Sequence, residues 1–119
     1  MTRLFVYGTL KRGCSNHSQL EGQHYLGPAR TVAGYALYGL EGYPGLVRTG
    51  EDGDVVSGEV WEVDEERLAK LDQFEGVDEG LYRRDALVLE APFDREQVEA
   101  YHYLRGLSHC RKVSGDWVG

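Results

Sequence analysis

The sequence predicts an α+β fold, in which a compact mixed β-sheet or barrel packs against one main helix and short helical turns. Short runs of β-forming residues recur along the chain and are separated by turn signals. Sixteen glycines and eight tyrosines are spread through the sequence, a composition that favours short strands and tight turns. Only the stretch that begins at Asp64 and ends at Gly76 carries a full set of helix signals.

The length and charge of the chain restrict its organisation and its partners. A chain of 119 residues, 41% of them hydrophobic, predicts a single domain over residues 1–119 with a modest core of its own. The net charge is −7, without a basic block, which argues against nucleic acid as a partner. No apolar run could cross a bilayer and no leader follows Met1, so we expect a cytoplasmic protein without a membrane partner. Its oligomeric state is left open.

The first half of the chain predicts several short strands. Residues Leu4–Tyr7 form the first and Gly8 ends it. A polar loop with a helical turn follows over Cys14–Leu20, and Tyr25–Tyr38 is rich in β-forming residues. Breaks are predicted at Gly27-Pro28, Gly34 and Gly39, a turn at Tyr43-Pro44-Gly45 before a short Leu46-Val47 segment, and a hairpin at Asp52-Gly53.

Further strands are predicted at Val55–Val63, Leu81–Glu90 and Val98–Leu104, with irregular chain after the last. On the strand at Val55–Val63 we expect the face that carries Trp61 to point into the core. Trp117 is expected to fasten the C-terminal tail to the body of the protein. The two cysteines, Cys14 and Cys110, are too few for a disulfide framework, so free thiols are expected.

The predicted helix places a carboxylate among apolar residues. Asp64 is a suitable N-cap, and Leu68, Leu71 and Phe74 recur at helical spacing. At about 100° per residue, Glu75 falls about 20° from Leu68 and about 40° from Leu71 on the helical wheel. A carboxylate facing an apolar interior has a raised pKa, as a general acid/base needs near neutral pH. The alternative is that Glu75 bends to the surface or pairs with Arg83 or Arg84.

The loop after the first strand is a second candidate site. Gly8 and Thr9 can turn backbone N–H groups into a small concavity that binds a carboxylate or an oxyanion. The alternative is an ordinary turn. Lys11 and Arg12 could attract an anion, although exposed cations of this kind are more often only solvated. Asn16 could order the loop through side-chain hydrogen bonds.

Taken together, these residues resemble the γ-glutamylcyclotransferase superfamily, and in particular its γ-glutamylamine cyclotransferase-like (AIG2-like) branch. The resemblance extends over nearly the whole chain. The motifs that carry it are VYGTLKRG at 6–13, Asn16-His17, LDQFEG at 71–76, LYRR at 81–84 and SGDW at 114–117.

The resemblance implies a small mixed β-barrel with a few helices. It implies an enzyme that cyclises a γ-glutamyl group to 5-oxoproline and releases an amine or amino acid, without cofactor or metal. By motif, the γ-glutamyl group is held by Tyr7, Gly8, Thr9 and Leu10, and Glu75 is the acid/base. A non-catalytic module that binds such a ligand and an acyl-amine hydrolase remain as alternatives.

The remaining candidates have weaker support. Tyr82, Tyr101 and Tyr103 are expected to pack, although one of the last two could line the pocket, and Arg84 could pair with a carboxylate. The leaving group is expected to contact residues 40–44 and 104–110. The histidines show no ligand spacing, so no metal site is predicted; they are His17, His24, His102 and His109.

Overall fold

A computed structural model describes residues 1–50 and 53–118. Within these residues the chain forms eight strands, one α-helix and two 3₁₀ turns. The helix α1 spans Glu65–Phe74, and the 3₁₀ turns span His17–Leu20 and Val77–Glu79. The strands are β1 (Thr2–Val6), β2 (His24–Arg30), β3 (Tyr35–Gly39), β4 (Pro44–Arg48), β5 (Ser57–Val63), β6 (Tyr82–Ala86), β7 (Glu99–Tyr103) and β8 (Arg111–Val113).

The strands form one mixed sheet in the order β2-β5-β1-β7-β4-β3-β8, and β6 pairs with β7 outside this path. Strand β7 runs parallel to β1 and β4 and antiparallel to β6. At the centre of the sheet, Leu4 of β1 lies opposite Trp61 of β5 and Glu99 of β7. A mixed sheet with one main helix confirms the predicted α+β class.

Both faces of β1 are buried. Phe5 and the following Tyr7 belong to one apolar cluster, whereas Leu4 and Val6 belong to a second cluster beneath α1. The first cluster joins side chains from β2 and β3, which lie far apart in the strand order, so the sheet must curl around it. A strand covered on both faces needs apolar residues at successive positions, which explains the run Leu4–Tyr7.

Strand β5 is buried in the same way. The predicted orientation of Trp61 is confirmed, because Trp61 and Val63 pack in the cluster beneath α1. The opposite face is equally buried, since Val56 and Val60 belong to the cluster inside the curl. Alternation along this strand therefore separates two cores instead of separating core from solvent.

Two turn predictions and the prediction of an irregular tail need correction. Gly27-Pro28 does not break a strand, because β2 continues through it with a register shift between Tyr25 and Gly27. Such a β-bulge absorbs an extra residue without ending the ladder. Pro44 begins β4, so the turn lies before it, and β8 occupies part of the tail that was expected to be irregular. The helical turn within Cys14–Leu20 is confirmed. Asp52 of the predicted hairpin lies outside the described residues.

The helix begins and ends as its sequence predicts. The Asp64 carboxylate accepts a hydrogen bond of 2.7 Å from the backbone N–H of Arg67, which satisfies one of the unpaired donors of the first turn. Glu75 is the C-cap residue, and Gly76 follows with a φ of +69°. This left-handed conformation suits glycine and ends the helix. Phe74 departs from the prediction: it is 46% exposed and does not join Leu68 and Leu71 in the core.

The C-terminal tail lies against the body of the protein, as expected. Trp117 packs against the cluster inside the curl. The Lys11 ammonium donates a hydrogen bond of 2.6 Å to the Trp117 carbonyl oxygen. Cys14 and Cys110 are both free and partly buried. Among the described residues, no helix is long and apolar enough to cross a membrane.

Candidate functional site

A cavity of about 300 Å³ opens between the end of β1, the segment before β4 and the end of α1. Glu75 and the loop residues Tyr7, Gly8, Thr9 and Leu10 all lie in its wall. Residues that the sequence places almost seventy positions apart are therefore brought to one site. The wall is completed by side chains from β6 and β7 and by the segment that leads into β4.

Glu75 reaches the cavity because α1 docks on the sheet through its apolar side. Leu68 and Leu71 are buried against the sheet, and the backbone N–H of Glu75 donates to the Leu71 carbonyl oxygen at 2.8 Å. This geometry fixes the direction in which the Glu75 side chain leaves the helix. Its carboxylate is partly buried and, among the described residues, no group donates a hydrogen bond to it.

The alternative pairing of Glu75 with an arginine is excluded, because both arginines are engaged elsewhere. Arg84 forms a bidentate ion pair with Asp72, with N–O distances of 2.8 and 3.0 Å. Its remaining terminal nitrogen lies 2.6 Å from a Glu99 oxygen. Arg83 pairs with Asp85 at 3.3 Å. The expected role of Arg84 as a carboxylate partner is confirmed, but its partners are Asp72 and Glu99.

Burial without a partner raises the pKa of Glu75 to about 7. Desolvation disfavours the charged carboxylate, and no cation offsets this cost. A group with this pKa is present in both protonation states near neutral pH. It can therefore accept a proton and return it within one reaction cycle.

The raised pKa also predicts a pH dependence of folding stability. Between about pH 4.5 and pH 7 the folded state binds more protons at Glu75 than the unfolded state, so its contribution to the free energy of unfolding falls as pH rises. The expected loss is roughly 3 kcal/mol over this range. Urea unfolding of the native chain and of Glu75→Gln at several pH values isolates this contribution as their difference. A difference that does not change with pH would contradict the burial of this carboxylate.

The loop after β1 is held in shape by its neighbours. A Cβ added to Gly8 would lie 2.6 Å from Cγ of Pro44, so glycine is needed for the close approach of these two segments. Thr9 is fixed by Asn16, whose amide donates to Thr9 Oγ1 at 2.9 Å and whose backbone N–H donates to the Thr9 carbonyl at 2.8 Å. The expected ordering role of Asn16 is confirmed.

The backbone of the loop leaves donors available. In the part of the chain that the structure describes, the N–H groups of Gly8, Thr9 and Leu10 donate to no protein acceptor. Consecutive free N–H groups at a cavity wall are the arrangement that binds carboxylates and oxyanions in other proteins. The Lys11 N–H donates to the Gly8 carbonyl oxygen at 3.1 Å and closes a β-turn, whose central N–H groups stay unpaired. The geometry is therefore compatible with the predicted anion-binding loop.

Tyr7 contributes to the wall differently from its loop neighbours. Its hydroxyl donates a hydrogen bond of 2.7 Å to the Tyr101 carbonyl and accepts one of 3.3 Å from the Leu46 N–H. The phenol is thus used by the protein itself, and it ties β1 to β4 and β7. Tyr7 can therefore contact a ligand only through its aromatic ring.

The two cations of the loop do not reach the cavity. Lys11 binds the tail, through Asp116 at 3.4 Å and the Trp117 carbonyl. Arg12 binds Glu59 at 3.3 Å and stacks on the ring of Tyr25 at 3.8 Å from its centroid. Both therefore fasten neighbouring segments, and neither attracts a ligand directly.

Sequence reasoning missed part of the wall. Tyr82 was expected only to pack, but it is buried and also lines the cavity. Of Tyr101 and Tyr103, one of which could line the pocket, Tyr101 does so. The Tyr101 hydroxyl donates to Asp72 at 2.7 Å, and the Tyr82 hydroxyl donates to the Pro44 carbonyl at 3.0 Å. The only sequence signal at Tyr82 was its place in the LYRR motif at 81–84, which fits a packing residue equally well.

The segment 40–44 contributes Gly42, Tyr43 and Pro44 to the wall, whereas none of residues 104–110 lies there. The first of the two segments expected at the leaving group is therefore at the cavity and the second is not. The described residues do not gather His, Cys, Asp and Glu side chains into a cluster that could hold a metal ion.

Comparison with known proteins connects this site to a family. Residues 4–119 match the family model described as "Gamma-glutamyl cyclotransferase, AIG2-like". A Vibrio cholerae serotype O1 protein, provisionally named a gamma-glutamylcyclotransferase, is 46% identical over 96% of this chain and 93% of its own. The human gamma-glutamylaminecyclotransferase is 40% identical over 80% of this chain and 66% of its own length. The crystal structure of a Mus musculus AIG2-like protein matches with a TM-score of 0.75 at 36% identity, over 86% of this chain and 76% of that one.

Proposed function

This chain belongs to the AIG2-like γ-glutamyl cyclotransferase family, and from that premise we propose that it cyclises the γ-glutamyl group of a small substrate to 5-oxoproline, releasing the attached amine. The observation that supports the reaction most directly is the Glu75 carboxylate. It lies unpaired in the cavity wall, across from a loop with free N–H donors. The chain spans about two thirds of the length of the mammalian relatives that it matches. Their activity is therefore a proposal for this chain.

The reaction moves two protons from the α-nitrogen of the substrate to its leaving nitrogen, and Glu75 carries them one after the other. Glu75 accepts a proton from the α-ammonium of the substrate, whose ordinary pKa is about 8. The freed nitrogen lone pair attacks the γ-carbonyl carbon of the same molecule and forms a five-membered ring with a negatively charged oxygen. As the bond from that carbon to the leaving nitrogen breaks, Glu75 returns its proton to that nitrogen. The ionised Glu75 then takes the second proton from the ring nitrogen, which becomes the amide N–H of 5-oxoproline, and this proton passes to the released amine.

The loop at Gly8, Thr9 and Leu10 contributes positioning and charge stabilisation. Its N–H groups can bind the α-carboxylate of the substrate or the oxygen that becomes negative during ring closure. By holding the α-amine close to the γ-carbonyl carbon, the loop removes much of the entropic cost of bringing the two ends of the flexible substrate together. In favourable systems such positioning lowers the barrier by about 7–11 kcal/mol.

The composition of the wall supports a γ-glutamylamine over a γ-glutamyl amino acid as the substrate. Among the described residues of the wall, none is Lys, Arg or His. A leaving amino acid would bring a second carboxylate, and the wall offers no cation for it. The exposed rings of Tyr43 and Phe74, which are 37% and 46% exposed, instead offer apolar contact to the alkyl chain of an amine.

The test is release of 5-oxoproline, measured by mass spectrometry. The purified chain is incubated with L-γ-glutamyl-n-butylamide, L-γ-glutamyl-ε-lysine, γ-glutamyl dipeptides and glutathione. We expect release, with a kcat/KM at least about tenfold higher for the butylamide than for a dipeptide, since one unpaired carboxylate near an apolar wall costs over 1 kcal/mol. Binding of these compounds by the folded chain without release would favour a non-catalytic module. Appearance of free glutamate in place of 5-oxoproline would indicate a hydrolase.

A further inference from the structure

Four tyrosines line the cavity, and the three buried ones each commit the hydroxyl proton to a protein acceptor, whereas the fourth, Tyr43, is 37% exposed. Tyr7 donates to the Tyr101 carbonyl, Tyr82 donates to the Pro44 carbonyl and Tyr101 donates to the Asp72 carboxylate. Carbonyl oxygens and ionised carboxylates accept hydrogen bonds and do not donate them. The direction of each of these bonds is therefore fixed by chemistry.

Asp72 remains ionised, as its role as the acceptor for Tyr101 requires. Burial alone would raise the pKa of Asp72, but hydrogen bonds from Arg84 and Tyr101 outweigh it, so the pKa lies below its usual value. The ion pair with Arg84 is bidentate and Arg84 is also held by Glu99. The proton of the Tyr101 hydroxyl consequently stays directed at Asp72 over the whole neutral range.

The oxygens of these phenols can then serve a ligand only as acceptors. The oxygen of Tyr7 already receives the Leu46 N–H. Among the described residues, no group donates to the hydroxyl oxygens of Tyr82 and Tyr101, and both residues line the cavity with Glu75. This part of the wall therefore combines the Glu75 carboxyl group with two phenol oxygens that present no proton of their own.

We propose that Glu75 and the hydroxyl oxygens of Tyr82 and Tyr101 form the subsite for the α-ammonium group of the substrate, and that Asp72 is a positioning residue that keeps Tyr101 an acceptor. This inference rests on the proposed function for the identity of the ligand. An ammonium group has three N–H donors and no acceptor, which matches such a set of oxygens. After one proton passes to Glu75, the remaining N–H bonds hold the nitrogen while its lone pair attacks the carbonyl carbon.

The test compares a ligand with its counterpart that lacks the amine. L-γ-glutamyl-n-butylamide carries the ammonium group, and N-butylglutaramic acid is the same molecule without it. Dissociation constants are measured by calorimetry in a Glu75→Gln background, in which the butylamide should not be cyclised during the measurement. We expect Tyr101→Phe and Tyr82→Phe each to weaken binding of the amide by about tenfold, the loss of one hydrogen bond to a charged group. Binding of N-butylglutaramic acid is expected to change less than twofold.

The controls separate this subsite from a structural role. Tyr25→Phe also removes a hydroxyl that accepts from a cation, Arg12 at 2.8 Å, but Tyr25 lies outside the cavity wall, so the affinity for both ligands should not change. Asp72→Ala frees the Tyr101 proton and should weaken binding of the amide more than binding of N-butylglutaramic acid. If these residues had only a structural role, the substitutions would lower the affinity for both ligands equally. That result, or unchanged affinity for both ligands, would overturn the subsite.

Failure of this inference is distinguishable from failure of the proposed reaction. If the variants lose affinity only for the butylamide and the native chain releases no 5-oxoproline, the ammonium subsite is retained and the reaction is rejected. Release of 5-oxoproline with unselective losses would reject the subsite alone. The same substitutions are also made in a chain that retains Glu75, where a weakened subsite should raise the KM for the butylamide. Failure of the Glu75→Gln and native chains to bind either ligand would reject both proposals.

Discussion

Glu75→Gln is expected to lower 5-oxoproline release by about 10²–10⁴-fold, the range that a positioned acid/base contributes. Glutamine keeps the size and shape of the side chain but does not exchange a proton near neutral pH. Because the loss concerns proton transfer, it should fall mainly on kcat, with a smaller change in KM. The measurement is steady-state kinetics with L-γ-glutamyl-n-butylamide at pH 7.5, together with thermal unfolding to verify the fold.

The matched control for this variant is Glu66→Gln on the same helix. Glu66 is exposed and forms an i,i+4 pair with Lys70 at 3.6 Å, so its loss should leave the kinetics unchanged and alter stability by less than about 0.5 kcal/mol. Turnover by Glu75→Gln within about tenfold of the native chain would remove Glu75 from the role of base. Among the described residues that line the cavity, Glu75 is the only carboxylate, so another base would have to come from outside this wall.

The pH profile of kcat/KM distinguishes a base from a binding residue. A base with a pKa of about 7 must lose its proton before it can act, so the rate should rise as pH increases through that value. The α-ammonium group adds a second ionisation near pH 8, since its loss removes the proton that Glu75 must take up. In Glu75→Gln the limb near pH 7 should disappear from any residual rate.

Much of the site is predictable from sequence because its signals are local. The helix from Asp64 to Gly76 is specified by its caps and its leucines, and the helical wheel alone places Glu75 on the buried side. Asn16 bonds Thr9 within one loop, so its ordering role also follows from nearby residues. These predictions require only which face of an element is apolar and where it ends.

The tyrosines and the tail could not be predicted in the same way. Tyr82 and Tyr101 belong to different strands, and they meet the cavity only because β6 and β7 pair and curl around it. Their hydrogen bonds run to Pro44 and Asp72, far away in sequence. Strand β8 is short and polar, and it is a strand only because the edge of β3 pairs with it. Each depends on contacts that no local pattern encodes.

Phe74 is the residue for which the helical wheel was misleading. Its spacing from Leu71 is helical, but α1 ends at Phe74, and the ring lies at the cavity with 46% exposure. Leu71, one turn earlier, is 0% exposed and packs in the cluster beneath α1. Leu71 therefore stabilises the core, whereas Phe74 lies at the cavity. Truncation to alanine should lower stability at Leu71 and affect substrate binding at Phe74.

Leu71→Ala should destabilise the fold by about 2–5 kcal/mol, since it removes buried methyl groups and leaves a cavity beneath the helix. This corresponds to a melting temperature lower by about 10 °C or more. Phe74→Ala removes a larger side chain, yet it should cost under about 1 kcal/mol of stability, because its ring is only half removed from water. Its effect should appear as a raised KM for substrates with an alkyl or aryl amine. Equal losses of stability in the two variants would place Phe74 in the core, and the lip of the cavity would then lack the apolar contact proposed for the leaving amine.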